Sequence, residues 1–121
     1  DSGHSPVAFA FQSDGTLRAA YTLLGISNRD WEDMSIGPGP VPGQDYLYLA
    51  DIGDNAETRS SITVSRIAEP SIPATPASNP IQIGGATALE FEYPDGAHNA
   101  ETLMVDPANG DLYILTKDRS G

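Results

Sequence analysis

The feature that most narrows what this chain can fold into is an internal repeat. Asp30, Trp31, Glu32, Asp33, Met34, Ser35 and Ile36 align with Asn99, Ala100, Glu101, Thr102, Leu103, Met104 and Val105 at an offset of 69 residues. Leu47, Tyr48 and Leu49 then align with Leu112, Tyr113 and Ile114 at an offset of 65. Each unit opens on a polar residue, any residue, a glutamate and a polar residue, and runs into an apolar strand. A second strand carrying Leu-Tyr follows. With these strands labelled A and B, the first unit continues into strand C at 62–67 and strand D at 86–93. The second unit stops after A and B. The chain also begins with a hairpin, 6–12 and 16–23, that has the form of a C–D pair. The order is therefore C-D, A-B-C-D, A-B, and recurring four-stranded units of this length predict a β-propeller with two blades' worth of strands per chain. Residues 1–27 are the C-D half blade, 28–96 the complete blade and 97–121 the A-B half blade, all in a single domain.

Local signals agree with an all-β class. Residues 6–12, 46–50 and 62–67 alternate or concentrate aromatic and branched side chains. The triplet Ser13, Asp14, Gly15 supplies a hairpin turn, as do the segments 94–96 and 106–110. Gly (12) and Pro (10) are frequent enough to punctuate about eight short strands, and no window sustains apolar spacing at i, i+3, i+4 and i+7. Four prolines between 69 and 80 exclude an interior strand there.

Composition removes several function classes. The 121 residues carry 6 Lys+Arg against 17 Asp+Glu, a net charge of −11. That field repels phosphate backbones and anionic lipid, so neither a nucleic acid nor a membrane is an expected partner. Cys is absent, which excludes disulfides, thiolate zinc sites and cysteine nucleophiles. No apolar run reaches the roughly 18 residues of a membrane span, and no signal-peptide pattern is present.

The mismatched ends predict self-assembly. An A-B hairpin at one end and a C-D hairpin at the other complete each other between chains, in a head-to-tail contact that closes into a ring. Because propellers have about four to eight blades, a homotrimer with six blades is the expected assembly. Unpaired strand edges on half blades would otherwise invite aggregation.

Several of these segments also carry a resemblance. Asn28, Arg29, Asp30, Trp31, Glu32, Asp33 and Met34, the run from Tyr46 through Asp51, Ile52, Gly53, Asp54 and Asn55, and Tyr93, Pro94, Asp95 and Gly96 leading to Ala100 and Glu101 resemble a group of bacterial, often exported β-propeller proteins. Its members have a Trp-Glu-Asp strand, an Asp-Ile-Gly-Asp-Asn loop and a Tyr-Pro-Asp-Gly segment before an Ala-Glu pair. The resemblance covers most of the chain outside 70–80. It implies the propeller fold and an extracellular or periplasmic location. Most members have no assigned activity, and they usually hold a whole ring in one longer chain.

The candidate site residues are acidic. Glu32 and Glu101 occupy equivalent positions at the start of the innermost strand, with Asp33 beside the first. A ring would gather these carboxylates at the channel mouth, where like charges raise one another's pKa or call for a cation. A hard, oxygen-seeking ion such as calcium or magnesium answers that need; the alternative is that they cap backbone N–H groups. Asp51, Asp54, Asn55 and Glu57 form a second cluster, read either as oxygen ligands or as side chains stabilising a tight turn. His98, three residues before Glu101, is a candidate ligand or general base, or else an ordinary surface histidine. Trp31 either packs between blades or presents a ring to a ligand. Lys117 and Arg119 are expected to face Asp1 of the next chain across a salt-bridged seam. The expected function is binding of an unidentified small ligand through the acidic mouth. Alternatives are a metal-dependent hydrolase of phytase-like or lactonase-like propeller type and a carbohydrate-binding ring.

Overall fold

A computed structural model describes residues 4–117 as nine strands with no helix. They are β1 (Val7–Phe11), β2 (Leu17–Leu23), β3 (Trp31–Pro38), β4 (Asp45–Asp51), β5 (Ile62–Ala68), β6 (Ile81–Ile83), β7 (Thr87–Phe91), β8 (Asn99–Val105) and β9 (Leu112–Lys117). The all-β class expected from the alternation is what the chain adopts. The strands form three separate sheets with orders β1-β2-β6, β3-β4-β5-β7 and β8-β9. None is closed on itself. The four-stranded sheet is antiparallel throughout and takes its strands in chain order. The hairpins expected at either end are β1–β2 and β8–β9.

The sheets are layered, with the four-stranded one in the middle. Side chains alternate across a strand, so β4 sends Tyr46, Tyr48 and Ala50 to one side and Leu49 to the other. The first set joins Ile52, Ile62 and Val64 against Ala100, Leu103 and Val105 of the β8–β9 sheet. Leu49 and Ile67 join Ala19, Tyr21 and Leu23 of β2. Two apolar layers thus bind three sheets. Close approach on the first side depends on Gly37, where a Cβ would collide with Val105.

One strand departs from the expected eight. β6 is three residues long and pairs in parallel with β2, Tyr21↔Ile81 to Leu23↔Ile83, although it lies between β5 and β7 in the chain. The proline-rich stretch before it, expected to hold no interior strand, runs as a strap along β2. Arg18 donates to the carbonyls of Pro73 and Ala74 (2.5 Å each), the Tyr21 hydroxyl donates to Ser71 O (2.9 Å), and Ala77 N–H donates to Arg18 O (2.9 Å). Prolines cannot donate to a ladder, but their carbonyls accept. A strand this short leaves no periodic signal, and parallel pairing is set by distant chain.

Candidate functional site

The two glutamates that define the repeat are lifted out of their strands by the same device. In β3 the pairing with β4 steps from Trp31↔Asp51 to Asp33↔Ala50, leaving Glu32 without a partner. In β8 the pairing with β9 steps from Ala100↔Thr116 to Thr102↔Leu115, leaving Glu101 without one. Each is the extra residue of a β-bulge, which re-aims its side chain. Since β3 and β8 lie side by side, the two carboxylates share one end of the molecule.

Glu32 has a closer neighbour. A Cβ built on Gly53 would stand 2.5 Å from Glu32 Oε1 and would also collide with Asp30 Oδ2. The two carboxylates therefore crowd the same small space above a residue with no side chain. The Gly53 N–H holds that loop in place by donating to Asp30 O (3.1 Å). Burial, then the charge of Asp30, then that of Glu101 push the Glu32 carboxyl above the ordinary glutamate range. Glu101 is exposed and ion-paired with Lys117. Lys117 was expected at an interchain seam with Arg119 and Asp1; it pairs within the chain, and the other two lie outside the described residues.

The remaining acidic candidates accept hydrogen bonds from within the chain. Asp33 Oδ2 accepts from Leu103 N–H (2.8 Å) and so ties the middle sheet to the β8–β9 sheet, while Oδ1 accepts from Met34 N–H (2.8 Å). Asp51 is buried and accepts from the N–H groups of Arg29 (2.8 Å) and Asp30 (3.2 Å) and from Arg59 Nη1 (2.8 Å). Asp54, also buried, accepts from Thr58 and Arg59 N–H (2.7 Å each), and its own N–H donates to Asn99 Oδ1 (2.8 Å). Asn99 Nδ2 donates in turn to Asn55 (3.3 Å). Glu57 sits in the left-handed region (φ 53°) as the turn tightens.

His98 and Trp31 are engaged locally. The His98 ring is 2.9 Å from Asp95 and meets Tyr93 edge-on at 5.1 Å. Trp31 packs against the apolar layer shared by the first and middle sheets, and its indole N–H donates to Ser27 O (3.1 Å). Among the described residues, no group of three or more His, Asp or Glu is arranged to hold a metal ion. Asp30 was not among the expected site residues. Its spacing of two from Glu32 was visible; the glycine that lets the pair converge comes from another loop. No helix among the described residues is long and apolar enough to cross a membrane. No protein family, curated protein or solved structure matches the chain.

Proposed function

We propose that this chain is a β-propeller segment that binds a divalent cation, calcium or magnesium, at an acidic mouth built on Glu32, Asp30 and Glu101. The observation that carries this reading is the pair of equivalent bulges, each ejecting a glutamate at the same end of adjoining sheets. A strand that only needed pairing would keep those glutamates in register. Carboxylates crowded together are stabilised when a cation sits between them, and oxygen donors of this kind suit calcium, which takes about six to eight. One chain supplies too few, so the full set would come from several copies around a common axis, in the six-bladed homotrimer. An exported setting belongs to the same proposal and is supported by the sequence resemblance alone.

The test is thermal melting with and without millimolar calcium or magnesium. Wild type is expected to melt higher with the ion, and Glu32→Gln to lose that gain. Gly53→Ala is expected to lose it too, because its Cβ would displace the Asp30 and Glu32 carboxyls. Asp14→Asn, an exposed turn acid, serves as the control that keeps it. A wild-type melting point indifferent to both ions, or a gain that survives Glu32→Gln, would remove the cation role.

A further inference from the structure

We propose that the cleft between residues 29–30 and the loop 53–59 binds a small α-amino acid, whose carboxylate is held by Arg29 and Arg59 and whose ammonium is held by Asp30. The cleft holds about 300 Å³, and Arg29, Asp30, Asn55, Thr58 and Arg59 are among its lining residues. That is the lower end of the range of small-molecule sites, about 300–1,000 Å³, and it suits a ligand of few atoms. Its walls come from the approach to β3 and the loop after β4, so neither end hairpin contributes to it.

The other cations of the chain are spent. Among the described residues, Arg18 bonds the strap carbonyls, Arg66 lies over the Tyr46 ring at 5.7 Å, Lys117 pairs with Glu101 and Arg59 pairs with Asp51. The Arg29 side chain alone among them makes no hydrogen bond or ion pair, although the chain carries a net charge of −11. The carboxylate of Asp30, next in sequence, accepts no hydrogen bond from the described residues and does not pair with Arg29. Both backbones are nevertheless fixed, since their N–H groups donate to the buried Asp51 (2.8 and 3.2 Å). Two opposite charges are thus held next to each other and left unspent.

Arg59 supplies a second donor. Its side chain is 6% exposed; Nη1 is used on Asp51 and on Gly53 O (3.0 Å), and Nε on Ser61 O (3.3 Å). Nη2 makes no such bond. Among the described residues only Arg18 Nε and Tyr93 OH are both sealed from solvent and unpartnered, so Nη2 opens on the cleft that Arg59 lines. The bonds of the other two nitrogens fix the plane of the guanidinium, which makes Nη2 a positioned donor for a carboxylate oxygen. The Thr58 hydroxyl is free beside it, since Asp54 takes only the Thr58 N–H (2.7 Å). A simple anion bound to these donors would leave Asp30 facing a like charge, and a simple amine would leave both arginines unanswered. Inorganic phosphate, with its second charge, is repelled harder by Asp30 and Asp54. A molecule with carboxylate and ammonium on one carbon answers both sides of the cleft.

This site shares Asp30 with the proposed cation site but does not need the cation. The experiment is isothermal titration calorimetry in chelator-treated buffer with l-alanine, l-alaninamide, N-acetyl-l-alanine and inorganic phosphate. The amide lacks the carboxylate and the acetylated form lacks the ammonium, so l-alanine is expected to bind about tenfold tighter than any of the other three. Arg29→Ala removes an exposed side chain without a partner, so its melting point and calcium gain should match wild type. Its affinity for l-alanine should fall about tenfold. Asp30→Asn should bind l-alanine no better than N-acetyl-l-alanine. The proposal is overturned if l-alanine gives no binding heat, if the blocked forms or phosphate bind as well, or if Arg29→Ala binds l-alanine undiminished. Binding of l-alanine without a calcium gain in melting would remove the cation site alone. A calcium gain without l-alanine binding would remove the amino-acid site alone.

Discussion

At the scale of single residues, this chain uses carboxylates in two opposite ways. Asp51 and Arg59 are both nearly buried, with side chains 6% exposed, and lie 2.8 Å apart. Removing one partner leaves the other charged inside the protein, so Arg59→Ala is expected to cost about 3–5 kcal/mol, read from the denaturant midpoint. Glu32 is the contrary case. Its pKa is raised in the folded state, so the folded chain holds that proton more tightly than the unfolded chain does. Its favourable contribution is complete at low pH and is lost as pH rises through the raised value. In metal-free buffer Glu32→Gln should therefore melt slightly above wild type at neutral pH, by a few tenths of a kcal/mol for a group that solvent still screens. The difference should vanish below about pH 4. A gain that persists in acid would show that packing, not ionisation, is responsible. The repeat made Glu32 and Glu101 legible in the sequence, because the same residue recurred at the same place in two strands. Acidity alone could not tell Asp51 and Asp54 from ligands. What the sequence did not show is the ring of N–H groups and the arginine that folding brings to them.

Among the elements, strands with clear alternation were legible, and their hairpin turns with them. β6 was not, because three residues after a proline-rich stretch carry no period and the pairing depends on where β5 delivers the chain. Arg18 is the main fastening of that strap, through hydrogen bonds from a charged group to two carbonyls. Such bonds contribute about 1.5–3 kcal/mol each in favourable settings, so Arg18→Ala should lower stability by an amount of that order. It should also open residues 70–80 to limited proteolysis before the rest of the chain is cut. Simultaneous cutting everywhere would mean that the strap is held by β6 itself. The bulges in β3 and β8 were legible only indirectly. The offset between the repeats predicted equivalence, but a register step belongs to the pairing of two strands and appears in neither one alone.

For the molecule as a whole, the three sheets are layered because each apolar face needs a neighbour and the middle unit has two. Association between copies meets a long-range cost, because each chain carries a charge of −11. The proposed assembly should therefore tighten as salt rises from about 0.05 to 0.5 M and the Debye length shrinks, measured as a falling dissociation constant in sedimentation. Weakening over that range would mean that ion pairs, and not strand edges and apolar faces, hold the copies. The strap has a kinetic consequence as well. Tyr21 meets Ile81 across about half of the chain's length, so the β1–β2 sheet cannot be finished until the segment carrying the middle strands has been spanned. Contacts of such sequence separation slow two-state folding to milliseconds or longer. The β1–β2 hairpin gains its outer neighbour only after β3, β4 and β5 have been added to the chain.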